Sequence, residues 1–372
     1  MVVTLYVIYM KRGISTILAA LLVLVIVFAA VAAYGWLRPT PTSTTYTPVT
    51  MEEKAKQEGA LTIYGVMDTP DFVAKIRPAF EAQYPWAVGM INYVGFAPGE
   101  ESTRVLSEYQ SGNVQADVAI CTMGALMPAI LGNASEKWTN PMITLMNYSS
   151  GTYDSNGLWQ IGFELPIILE YNTELVSANQ VPTTWQDFTN PIWDGKISID
   201  DPKTNDVTAT LFAHLFPILG NASWTSLMQG IAANHPLISE SGGEAYTKVA
   251  SGEAAIGIGL INDYLAGLQT PGITVSIAWL PPVTALPVPS ILCKNAPHPN
   301  FGKLFLEWFA SGPGQYSIAS SGRVPSNGPI AAGTILKGIV PSNVTIVLSA
   351  YNNPDFYANP GKWSDTFRSI FG

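Results

Sequence analysis

Three stretches of this chain carry residue types that could hold a small molecule. Asp200-Asp201-Pro202-Lys203-Thr204-Asn205-Asp206 precede an apolar helix expected over 207–219. Thr204, Asn205 and Asp206 would stand at its N-terminus, where free N–H groups and the helix dipole favour an anion. The plainer reading makes Asn205 or Asp206 a simple helix cap. Ser241 and Gly242 open another expected helix, over 245–251, and could offer backbone donors or merely cap it. Asn262, Asp263 and Tyr264 end a buried strand expected from Ala255. The oxygens of Asp263 and Tyr264 suit a hard cation. Tyr264 can equally stack on an organic solute, bond to it, or just pack.

These residues need elements to aim them. Strands are expected at 61–65, 89–94 and 116–120, and a helix at 102–111. Another helix follows Pro70, with Phe72, Ile76 and Phe80 on one face and Asp68 or Thr69 as its cap. Alternating strands and helices predict an α/β domain with a largely parallel sheet. Ligands of such sheets bind beyond the carboxyl ends of the strands. Three loops are therefore candidates: one with Asp68 and Thr69, one over 96–103 with Glu100, Glu101 and Ser102, and one with Thr122 and Met123.

Several blocks resemble, in order, the extracellular solute-binding proteins of ABC importers, most of all the ferric-iron-binding group. Near the start of the globular part stand EGALTIYG and SEYQSGNVQADVAI. Val181-Pro182-Thr183-Thr184-Trp185-Gln186-Asp187-Phe188 and Trp193-Asp194-Gly195-Lys196 follow. The last block is Pro297-His298-Pro299, an apolar helix, Gly312-Pro313-Gly314-Gln315 and Gly322-Arg323-Val324-Pro325. The resemblance covers about 58–325. It implies a type 2 periplasmic-binding-protein-like α/β fold, two lobes joined at a hinge around an interlobe cleft. The strand around 159–172 would cross between the lobes. It further implies capture of a small solute and delivery to the permease subunits of an importer. The solute could be ferric iron or another metal ion, a small anion or a small organic cation. Iron-binding members carry two adjacent tyrosines where this chain has Asp263-Tyr264, a departure that weakens the case for iron. Glu100 or Glu101 could then add a carboxylate from the other lobe. No resident cofactor is implied; a metal would be cargo.

Residues 14–34 form an uncharged apolar run long enough to span a bilayer, preceded by Lys11-Arg12 and followed by Arg38. Lys11-Arg12-Gly13-Ile14-Ser15 looks like an archaeal pilin-type signal, which implies cleavage after Gly13 and a retained helix. A cleaved secretory leader is the alternative, with a possible site at 29–33. The expected organisation is leader 1–13, membrane helix 14–35, Ser/Thr/Pro stalk 36–57, first lobe 58–165, second lobe 166–280, and a return to the first lobe with C-terminal helices over 281–372. The bulk would sit on the extracellular face. Asn133, Asn147, Asn221 and Asn343 head N-glycosylation patterns.

The net charge of −9 argues against nucleic acid as a partner. Cys121 and Cys293 are the only cysteines and could pair or stay as buried thiols. No nucleophile elbow, HExxH or phosphate-binding loop is present, so a binding protein is expected and not an enzyme. A secreted enzyme on similar lobes and a glycosylated structural surface protein are the rival readings.

Overall fold

The parallel sheet expected near the start is built from β1 (Leu61–Gly65), β2 (Ile91–Gly95) and β3 (Val118–Ile120). Their order is β2-β1-β3, with Leu61 opposite Ile91 and Ile63 opposite Val118. The computed structural model describes residues 48–67, 69–334, 340–341, 346–347 and 354–372. The apolar run, most of the stalk, Asp68 and Asn343 lie outside the described residues. Val49–Gly372 forms one compact unit. Among the described residues no helix is long and apolar enough to cross a membrane.

Four helices flank this sheet: α1 (Pro48–Glu58), α2 (Arg77–Gln83), α3 (Pro98–Ser111) and α4 (Met123–Leu131). Helix α3 starts four residues before the expected Ser102. Pro98 suits the first turn because its missing N–H would have no helical partner there, and Glu100 and Glu101 suit the positive end of the dipole. Both glutamates are thus helical and not in a loop.

β4 (Gln160–Asn172) is the strand expected to cross between lobes. Its last residues enter a second sheet with β5 (Ile197–Asp200), β6 (Leu237–Ser239) and β7 (Ile256–Leu260), in the order β4-β7-β5-β6. Helices α5 (Asp206–Ala233), α6 (Gly242–Ala250) and α7 (Ile261–Gly267) cover it. α5 consists of two helical stretches joined at a kink. The break comes where the sequence placed it: Gly220, with φ of 72° and ψ of 162°, is not helical, so a first helix stops at 219 and a second continues to Ala233. Asn262, Asp263 and Tyr264 lie in α7 and do not extend the strand, since β7 stops at Leu260.

β8 (Val275–Ala278) pairs with the end of β4, and β9 (Val283–Leu292) returns to the first sheet. β4 pairs with β9 from Gln160 to Pro166 and with β7 from Ile167 to Tyr171. One strand therefore changes partner midway, and this is the hinge between two lobes. Helices α8 (Pro299–Ala310) and α9 (Gly312–Ser320), then β10 (Val324–Pro325), complete the first lobe, β10 pairing with β4. Phe301, Leu304, Phe305, Trp308 and Phe309 of α8 are all buried, as their spacing predicts. Trp308 meets the Phe80 ring edge-on at 5.2 Å. β11 (Ile346–Val347) pairs with β9.

The chain ends in a short helix Pro354–Ala358 and in α10 (Pro360–Phe371). Pro354–Ala358 meets α4 of the first lobe, while α10 packs on α5 of the second. Trp363 and Phe367 are buried there, and Phe371 stacks on Phe212 at 5.7 Å. The C-terminal helices therefore bridge the lobes.

Candidate functional site

Helices α3 and α4 on one side and the start of α5 on the other leave a cavity of about 720 Å³ between the lobes. The first lobe gives it Glu100, Ser102, Thr103, Ser107 and Gln110, and the second gives Lys203, Thr204, Asn205 and Asp206. Phe356, Ser364 and Phe367 close one side.

The hydroxyls here mostly point their protons at the protein. Thr103 donates to the Gly99 carbonyl, Ser107 to Arg104 and Ser364 to Lys203. The Lys203 ammonium is held by the Gly372 carbonyl at 2.6 Å. Gln110, Asn205 and Lys203 also bring N–H donors, so the lining mixes donors with acceptors, the Glu100 carboxyl and the hydroxyl lone pairs.

Asp206 joins the lobes. Its carboxylate, at the first turn of α5, accepts from the Thr122 hydroxyl and, at 3.1 Å, from the Ala125 N–H of α4. Burial pushes its carboxyl up, and these two bonds pull it back. Asp206 does not cap its own helix. Asp200 does that from β5, accepting from Val207 N–H at 3.2 Å and Thr208 N–H at 2.8 Å. Asn205 is at the cap position without a side-chain cap bond. The expectation that Asn205 or Asp206 caps α5 is corrected accordingly: a buried carboxylate with no other partner displaces the local candidates. Burial raises the Asp200 carboxyl to about 6 against the pull of its N–H donors.

Of the residues singled out in the sequence, Glu100, Ser102, Thr204, Asn205 and Asp206 meet at this cavity, and Thr122 reaches it through Asp206. Glu101 turns inward on the buried face of α3: it is fully buried and accepts from the Ile120 N–H at 3.1 Å. Burial raises its carboxyl well above the usual range. Met123 is a core residue. Thr69 faces Gly95, where a side chain would not fit. Gly242, Asp263 and Val207 converge on the second lobe, and Ser241 caps α6 through the Glu244 N–H. Asn262 donates to Asp263 at 2.9 Å. Tyr264 packs against Ile168, Ile261 and Val324. None of Thr69, Ser241, Gly242, Asn262, Asp263 or Tyr264 lines the cavity. Among the described residues no group of three or more His, Cys, Asp or Glu side chains is placed to hold a metal ion. Cys121 and Cys293 are buried and form no disulfide. His298 is a turn residue, tied through its N–H and ring to Asp117.

Sequence reasoning passed over Lys203, Gln110 and the C-terminal contribution. The Trp363, Phe367, Phe371 spacing did signal a helix with one aromatic face, although nothing in it says what that face would cover.

Two further carboxyls lie on β4. Glu164 and Glu170 are fully buried, and none of their oxygens has a hydrogen-bond partner. Burial pushes Glu164 up to about 8. It pushes Glu170 well above the usual range, with the nearby Asp263 carboxyl adding to the effect.

A family model described as bacterial extracellular solute-binding protein matches residues 120–337. An uncharacterized protein of Haemophilus influenzae is 25% identical over 234 residues, which span 58% of this chain and 64% of that protein. Among solved structures, the apo ferric ion-binding protein A of Pasteurella haemolytica superposes with a TM-score of 0.68 at 16% identity, over 84% of this chain and 98% of that one. Iron-bound HitA of Pseudomonas aeruginosa gives 0.65 at 16%, over 84% and 99%. AfuA of Actinobacillus pleuropneumoniae, with fructose-6-phosphate bound, gives 0.67 at 19%, over 84% and 98%. At these identities the structures establish a shared fold.

Proposed function

The chain belongs to the family of bacterial extracellular solute-binding proteins, and we propose that it captures a small polar organic solute, a polyol or an amine, for an ABC importer. The observation that carries this is the polar cavity of about 720 Å³ supplied by both lobes, with the Glu100 carboxyl, amides and hydroxyls on its wall. Such a volume suits a small organic molecule and far exceeds an ion. A solute touching both lobes stabilises their closed arrangement, because it gains both sets of contacts only there. The closed form then docks on membrane permease subunits. AfuA, similar in fold, holds a sugar phosphate, and the sugar hydroxyls are the kind of group such a lining can bind. Residues 14–34 would tether the chain to the membrane, with the lobes on the outer face and the Ser/Thr/Pro segment as a stalk. The glycosylation patterns at Asn133, Asn147 and Asn221 fit that placement.

Metal capture is the second reading. It rests on the fold shared with iron-bound HitA and on the oxygens of Asp263 and Tyr264, with Glu170 beside Asp263.

Thermal unfolding of the full chain, screened against polyols, polyamines, phosphate and ferric iron, separates the readings. A solute at a hundred times its Kd adds about 2.7 kcal/mol of stability. Polyols or amines should raise the unfolding temperature, and Glu100→Ala should weaken the effect. A shift with ferric iron alone would favour the metal reading.

A further inference from the structure

We propose that Asp206 is a latch: carried by the second lobe, it caps helix α4 of the first lobe in trans. The argument begins with what each helix start needs. A helix leaves its first N–H groups without partners, and the residue before it usually accepts one of them through a side-chain oxygen. Thr122 holds that position for α4, and threonine is well suited to the task. Yet its hydroxyl makes no cap bond to its own helix. It donates to Asp206 instead, and Asp206 takes the Ala125 N–H that Thr122 would have accepted.

The second lobe releases Asp206 for this purpose. Its own helix is already capped by Asp200, so Asp206 has no local role to give up. The first lobe makes a seat for it. A Cβ at Gly124 would stand 2.5 Å from the Asp206 Oδ1, so only a residue without a side chain lets the carboxylate reach the helix end. Three positions on two lobes therefore fit one contact.

The contact has a built-in alternative. When the lobes part, the Thr122 hydroxyl can turn to accept from its own helix, and Asp206 passes to water. The latch is thus a difference between two satisfied states and stays reversible. A cap is worth a factor of roughly five to thirty in such an equilibrium. The solute-free protein accordingly populates its closed form, and the solute has less of the closure left to drive. The inference rests on the two-lobe cleft and on no particular solute.

The test is the lobe separation of the full, solute-free chain, read by pulsed electron resonance between spin labels at Asn113→Cys and Asn221→Cys. Both positions are exposed, whereas Cys121 and Cys293 are buried. The unaltered latch should give a clear short-distance population. Asp206→Ala and Gly124→Ala should each lower the ratio of short to long distances roughly five- to thirty-fold. Distributions that superpose on those of the unaltered latch would overturn the proposal. If Asp206→Ala fails to fold, Gly124→Ala decides alone, since it alters the other lobe and puts a better helix former into α4. A chain that binds no solute but answers to these substitutions would keep the latch and lose the transport reading.

Discussion

The hinge and the seam across the cleft both bury carboxyl groups, and they treat them in opposite ways. On the hinge strand β4, Glu164 and Glu170 have no hydrogen-bond partner for any carboxyl oxygen. At the seam, Asp206 has the Thr122 hydroxyl and the Ala125 N–H. Desolvation raises all three, but only the seam offsets it with donors. A buried carboxyl without donors keeps its proton, whereas one facing a helix N-terminus can keep its charge. The lobes are thus joined by a neutral spine on one side and a polar clasp on the other. The spine needs stiffness without charge; the clasp needs a contact that water can replace.

The largest test of this contrast is pH. The Glu164 carboxyl ordinarily titrates at 4.5 and in the folded chain at about 8. Its folded value is raised, so its contribution to stability is complete below 4.5, falls as pH rises through the interval, and is gone above 8. At about 1.4 kcal/mol per pKa unit, the span is several kcal/mol. Urea midpoints measured from pH 4.5 to 8 should fall, and Glu164→Gln should flatten the slope. A slope unchanged by that substitution would mean that Glu164 is ionised and the spine charged.

Next in size is the strap that crosses both lobes. Trp363 meets Trp224 and Phe216 edge-on at 5.9 and 5.5 Å. Trp363→Ala should cost about 3–5 kcal/mol, read from the same midpoints. The two aspartates flanking the start of α5 then separate capping from latching. Asp200→Ala orphans two buried N–H groups and should cost about 1–2 kcal/mol, with no change in lobe separation. Asp206→Ala should cost less in global stability and change lobe separation clearly. Thr122→Ser keeps donor and acceptor, and should shift stability by less than about 0.5 kcal/mol with the lobe populations intact.

The sequence made the lobes readable because their signals are local. Strand and helix alternation and the apolar spacing of Phe301 to Phe309 each act within a few residues. The crossing strand was readable as an apolar run over 161–169 with Gly162, Glu164 and Pro166 set in it. The cleft was only half readable. Glu100, Ser102, Thr204, Asn205 and Asp206 stood out as loop or helix-start polar residues, and they do meet. Glu101 was expected in a loop; its inward position follows from α3 beginning four residues earlier, at Pro98. That Asp200 would cap α5 while Asp206 reached the opposite lobe depends on contacts 84 residues apart, which no periodicity encodes. The same holds for α10: Trp363, Phe367 and Phe371 share one helical face, but their spacing does not name the partner α5.

The most direct test of solute capture is the lobe separation of the doubly labelled full chain during titration with whichever solute the unfolding screen selects. The account predicts that the long-distance population drains into the short one and saturates at the solute's binding constant. A solute that stabilises the chain while leaving that distribution unmoved would contradict it, because its site would then lie outside the cleft.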